Sequence, residues 1–174
     1  KDKKSRLAGN LYAELHLFDG FMFKTSFGAD YNNLYRRSFS PKYDEINASE
    51  KLSGLSNRNA WNFNWVFTNT LNYTKTFGDH TINALLGLES LRNRYEYFTA
   101  SRDGFPSDDP NFHFLDAGDV GTQKNSGSAT EYSMVSYFGK IDYNYHDRYL
   151  VAFTLRRDGS SRLGNNKWGN FPAA

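Results

Sequence analysis

The sequence predicts an all-β chain: about six long antiparallel strands in three hairpins, forming a segment of a larger transmembrane β-barrel. Three observations carry this expectation. Apolar and polar side chains alternate over runs of about 10 residues or more, well beyond the globular strand mean of about 5–6. Turn signals are short within each pair of runs and the polar stretches between pairs are long, which is the rhythm of a barrel with brief periplasmic turns and extended extracellular loops. Aromatic residues make up 17% of the chain, with 15 Phe, 12 Tyr and 3 Trp, and barrels concentrate such residues in girdles at the two membrane interfaces.

The runs can be taken in order. Over 10–19, Leu11, Ala13, Leu15 and Leu17 alternate with Tyr12, Glu14, His16 and Phe18. Asp19-Gly20 then supplies a tight-turn dipeptide. Over 21–31, Phe21, Phe23, Thr25, Phe27 and Ala29 share one face. The polar stretch 32–60 has no clear period and reads as a loop. Over 61–76, Trp61, Phe63, Trp65, Phe67, Leu71 and Tyr73 oppose Asn62, Asn64, Thr68, Thr70 and Asn72. Gly78-Asp79 turns the chain into 81–98, where Ile82, Ala84, Leu86 and Leu88 fall on one face. A second loop is expected over 99–131. The third pair, 132–145 and 149–158, sets Val135, Tyr137, Ile141 and Tyr143 on one face and Ser136, Lys140, Asp142 and Asn144 on the other, with a turn at His146-Asp147-Arg148. A third loop is expected over 159–174.

Composition narrows the function classes. The 174 residues are 39% hydrophobic and their mean hydropathy is −0.72. No run approaches the roughly 20 apolar residues of a spanning helix, whereas alternating barrel strands escape such a test. Lipid offers no hydrogen-bond partners, so a chain that crosses it without helices does so as part of a closed sheet. The formal net charge is +2, which argues against nucleic-acid binding. Cysteine is absent, excluding disulfides, thiolate metal sites and a cysteine nucleophile. Lys1-Asp2-Lys3-Lys4 is not followed by a signal-type apolar segment. Single-chain barrels start at about 8 strands, so about six point to a piece of a longer protein.

Specific motifs carry a resemblance. Tyr137-Phe138-Gly139-Lys140-Ile141-Asp142-Tyr143, then Arg156-Arg157-Asp158-Gly159-Ser160-Ser161-Arg162, then Trp168-Gly169-Asn170-Phe171-Pro172, resemble the SusC/RagA family of TonB-dependent outer-membrane transporters of the Bacteroidota. Leu71 to His80, Leu86-Gly87-Leu88-Glu89 and Gly9 to Glu14 are similar to hairpins of the same family. The resemblance implies a barrel of about 22 strands with an internal plug, of which this chain is a part without the plug. It also implies a SusD-like surface lipoprotein as lid, a TonB complex acting through regions outside this stretch, and an oligosaccharide or peptide as ligand. No bond is made or broken in such transport, so no enzymatic activity is expected.

The residues expected to face the lumen, and so to meet ligand or plug, are Glu14, His16, Lys24, Asp30, Asn62, Asn64, Glu89, Lys140, Asp142 and Asn144; mixed polar groups suit sugar hydroxyls and peptide amides, and equally a hydrated wall. The opposite face is expected to meet outer-membrane lipids. In the signature stretch, Arg156, Arg157, Asp158 and Arg162 read as a clasp that shapes a loop, with Gly159 supplying unusual dihedrals. Trp168 suits packing against the loop or stacking on a sugar. No cofactor is expected. Asp103, Asp108, Asp109, Asp116 and Asp119 make the 101–131 region acidic, yet without an EF-hand spacing for Ca²⁺. The four histidines are scattered. Two other readings remain at this point: a passive porin-like barrel, and a secreted carbohydrate-binding β-sandwich with a dry interior between two sheets.

Overall fold

The computed structural model describes residues 1–45, 48–50 and 52–174, and side chains outside 44–51. The long strands are β1 (Asp2–Phe18), β2 (Phe21–Ser40), β5 (Gly54–Phe77), β6 (His80–Asp103), β7 (Lys124–Tyr145) and β8 (Tyr149–Ser160). A short strand, β9 (Trp168–Ala173), pairs antiparallel with β8. Together they form one seven-stranded sheet in the order β1-β2-β5-β6-β7-β8-β9, each neighbour also next in the chain apart from a small hairpin of β3 (Tyr43–Glu45) and β4 (Ala48–Glu50). The all-β architecture expected from the alternation is the one observed. The β-sandwich is not, because among the described residues the other sheet is only the two-stranded β3–β4 hairpin.

The three turns fall where the sequence puts them. Gly20 adopts φ +81° and Gly78 φ +57°, left-handed values that glycine reaches without a Cβ penalty. His146 and Asp147 both adopt φ 53°. Their loop is held by Asn144 Nδ2 donating to Asp147 Oδ1 at 2.6 Å and by the His146 amide donating to the Asp79 carbonyl at 2.9 Å.

The strands run well past their expected ends. Strand β1 starts at Asp2 rather than near 10, and β2 continues to Ser40, inside the stretch read as loop. Strand β5 starts at Gly54 rather than 61, and β6 reaches Asp103. Strand β7 begins at Lys124 rather than 132, and β9 occupies much of the third expected loop. Polar residues occupy both faces of these extensions, as at Asn32-Asn33 and Asn57-Arg58-Asn59, so the hydropathy period vanishes while the backbone ladder persists. Residues 46, 47 and 51 of the expected first loop lie outside the described residues.

Contacts group into two compact units. The first comprises Lys1–Leu7, Tyr31–Phe63 and Arg94–Thr130. It holds the buried apolar residues Leu55, Ala60 and Phe105. Ser53 is buried with them, its hydroxyl donating to the Phe105 carbonyl and accepting from the Phe105 amide. The connection after β6 folds as three short 3-10 turns over this cluster, with the His113 ring stacked 3.7 Å from Phe39. The second unit comprises Ala8–Asp30, Asn64–Asn93 and Glu131–Ala174. It has almost no apolar interior among the described residues: Leu11, Leu86, Ile141 and Val151 stay more than half exposed.

That exposure is systematic. In the β7–β8 register, Tyr137 faces Arg157, Gly139 faces Leu155, Ile141 faces Phe153, Tyr143 faces Val151 and Tyr145 faces Tyr149. Directly opposed residues share a face, so this face is apolar almost throughout. The other face pairs Ser136 with Asp158, Phe138 with Arg156, Lys140 with Thr154 and Asp142 with Ala152. An exposed apolar face of this extent is a surface for lipid or another protein rather than for water.

Candidate functional site

Several residues expected on the lumen side have polar partners. Within the second unit Lys24 pairs with Glu14 at 2.8 Å, and Lys140 with Asp142 at 2.9 Å. Asn93 donates to Asn64, and Asn144 to Asp147. Asp30 and Asn62 also have partners. The ten residues lie on five strands, β1, β2, β5, β6 and β7.

One of them joins the signature stretch. Arg156 Nε donates to both Asp158 carboxylate oxygens, at 2.7 and 3.0 Å. Its Nη2 donates to Ser136 Oγ at 2.9 Å and reaches Glu89 at 3.4 Å. Glu89 in turn accepts from Thr68 Oγ1 at 3.3 Å, and the guanidinium lies 5.5 Å from the Phe138 ring centre. The network therefore crosses β5, β6, β7 and β8. Ser136 is 2% exposed, and a buried hydroxyl needs this partner. Phe138 lies across Gly87, where a Cβ would come within 2.1 Å of the ring.

Arg156, Arg157, Asp158, Gly159 and Ser160 are strand residues, not loop residues. Gly159 does not supply a left-handed turn; positive φ occurs elsewhere. It supplies space: Trp168 sits directly opposite in the register, and a Cβ at Gly159 would meet its indole at 2.8 Å. The indole also lies 5.0 Å from the Arg157 guanidinium and 6.0 Å from the Tyr137 ring. Trp168 thus packs on the apolar face, away from the face that carries Arg156. Ser161 ties the following turn to β7, its amide donating to the Ser133 carbonyl and its hydroxyl accepting from the Ser133 amide. Arg162 stacks on Tyr132 at 3.9 Å, the Phe171 ring covers Gly169, and Pro172 sits opposite Leu155 in β9.

The aspartates after β6 have local tasks. Asp109 and Asp119 cap the first and third 3-10 turns. Asp103 pairs with Lys124 at 3.3 Å and Asp116 with Arg102 at 3.5 Å. Among the described residues no three carboxylates or imidazoles gather as a metal site would require.

The aromatics near the turns cluster on one another: Phe18 with Phe21 at 4.6 Å, Phe21 with Tyr73 at 4.4 Å, and His80 with Tyr145 at 4.7 Å. His80 Nδ1 is 2.7 Å from the Tyr143 hydroxyl. At the other end, Trp61 meets Phe98 edge-on. Tyr95 and Tyr97 are used differently, since both hold Arg58: its Nη2 donates to the Tyr95 hydroxyl at 3.1 Å and its guanidinium lies 3.9 Å over the Tyr97 ring. Sequence reasoning missed Arg58 because it lay in the stretch read as loop. The signal was present, since Arg58 continues the polar parity of Asn62 and Asn64.

No family model matches the chain. It is 34% identical over 164 residues to TonB-dependent receptor P39 of Formosa agariphila, and 33% identical over 173 residues to TonB-dependent receptor P3 of the same organism. Those alignments cover 93% and 98% of this chain but only 16% and 17% of the relatives' lengths. TonB-dependent receptor SusC of Bacteroides thetaiotaomicron is 31% identical over 114 residues, 65% of this chain and 11% of that protein. Among solved structures, the RagAB peptide transporter superimposes with a TM-score of 0.90 at 26% identity, covering 98% of this chain and 19% of that one. The strand order, the two-faced sheet and these matches place the chain in the SusC/RagA-like TonB-dependent receptors, as a segment of their β-barrel.

Proposed function

We propose that the chain forms part of the barrel wall of a TonB-dependent importer in the outer membrane of a Bacteroidota bacterium. The importer takes up oligosaccharides or peptides under a SusD-like lipoprotein lid. One observation carries this reading: long strands with one exposed apolar face and one polar face match the barrel of a peptide transporter along almost their whole length. The apolar face of β7 and β8 meets lipid, and the polar face with Lys140, Asp142 and Arg156 meets the lumen. The chain's own contribution is structural and positional. The Arg156 network locks four strands in register, and the polar wall presents paired donors and acceptors to whatever fills the barrel.

The test is uptake in the native bacterium with and without TonB, combined with purification of the receptor in mild detergent. The importer reading expects uptake to cease without TonB and a surface lipoprotein to remain bound. Uptake that continues without TonB would instead establish a passive pore.

A further inference from the structure

We propose that the polar face of the first unit carries an oxyanion-binding subsite centred on Arg58, which takes the carboxylate of an acidic, uronate-bearing oligosaccharide. This rests on the importer reading above and names its substrate class.

A cavity of about 580 Å³ opens between β1, β2, β5 and β6. Lys4, Arg6, Arg36 and Arg58 line it, with no carboxylate among the described lining residues. Arg36 is committed, since it forks onto Asp2 at 2.9 and 3.0 Å. Arg58 is not. Among the described residues its one hydrogen bond goes to the neutral Tyr95 hydroxyl, and no carboxylate of theirs pairs with it. Stacking on Tyr97 fixes the plane of the guanidinium. A half-buried guanidinium has five N–H donors in a rigid fork, matched to a carboxylate. Held in place and without a counter-charge among the described residues, it is preorganised for an anion, and Lys4 adds positive charge to the same cavity lining.

The rest of the wall selects among anions. Asn32 and Asn62 carry side-chain amides of the kind that bond sugar hydroxyls, and Leu34 adds apolar surface for a ring face. A peptide also brings an α-ammonium group, for which the described lining residues offer no carboxylate. An acidic saccharide brings only groups the wall can receive.

The experiment is isothermal titration of the full-length receptor in detergent with tetragalacturonate, maltotetraose and tetraglutamate, for the native protein and for Arg58→Gln and Arg58→Lys. The proposal expects tetragalacturonate to bind best and to weaken roughly tenfold in Arg58→Gln, the loss of one charged hydrogen-bonded pair. Arg58→Lys should fall between the two, and rising salt should weaken the native protein and Arg58→Lys more than Arg58→Gln. Heat-modifiable migration on gels verifies that each barrel is folded. Should Arg58→Gln fail to fold, Tyr95→Phe, which releases the guanidinium but keeps its charge, must still weaken tetragalacturonate. Absence of tetragalacturonate binding, equal binding by a folded Arg58→Gln barrel, or maltotetraose binding as tightly would overturn the subsite. Tighter binding of tetraglutamate would overturn the saccharide assignment. This titration needs no TonB, so its failure leaves the importer reading to be judged by uptake alone.

Discussion

At the scale of single residues, Arg156 ties β6, β7 and β8 together on the second unit's polar face. It joins Asp158, Ser136 and Glu89 by hydrogen bonds. Its removal leaves two carboxylates near each other and a buried hydroxyl without its donor, costs that exceed the value of the hydrogen bonds themselves. Arg156→Met should lower barrel stability by about 2 kcal/mol, read as a shift in the urea midpoint of the purified receptor. Glu89→Gln should cost less, because its contact to Arg156 is longer. Asp2 offers a second prediction. The hydrogen bond from Arg36 holds the Asp2 carboxyl below the usual carboxylate range. The pair therefore contributes in full above the ordinary aspartate pKa and is lost as pH falls through the lowered one. Hydrogen exchange at the start of β1 should quicken on acidification in the native protein, and Asp2→Asn should lose that pH dependence. Sequence alone made Arg156 and Asp158 legible as a clasp. Glu89, Ser136 and Thr68 were not legible as its partners, because only strand register brings β5, β6 and β7 beside β8.

At the scale of elements, hairpin turns and close-packed glycines set the register. Gly20 has φ +81°, its carbonyl accepts from the Thr74 amide at 2.8 Å, and a Cβ there would lie 2.4 Å from the Thr74 carbonyl oxygen. Gly20→Ala should destabilise the β1–β2 hairpin by about 1–3 kcal/mol, from left-handed strain and the clash together, and should quicken exchange at Thr74. Gly159→Val should displace the Trp168 indole and expose β9, so the amides of Trp168–Ala173 should exchange faster while those of Phe138 to Tyr143 keep their protection. The turns were readable because Asp19-Gly20 and Gly78-Asp79 are local signals. The strand ends were not, since Asn32 to Ser40 and Gly54 to Ala60 lack the hydropathy period, polar residues falling on both faces of each stretch. The role of Gly159 was misread for a related reason: its neighbour is Trp168, nine positions away across a turn, and only pairing brings the two together.

At the scale of the whole molecule, the central claim is that one face of this sheet meets lipid and the other a water-filled lumen. The chain contains no cysteine, so single cysteines can be placed at 139 to 143 and at 151 to 155 without competition from this stretch. Spin labels at these positions in the full-length receptor, reconstituted in bilayers, report collisions with oxygen and with a water-soluble nickel complex. The account predicts strict alternation: labels at Ile141, Val151 and Phe153 collide with oxygen, and labels at Lys140, Asp142 and Thr154 with nickel. Uniform nickel accessibility on both faces, or no alternation at all, would contradict it and remove this sheet from the membrane.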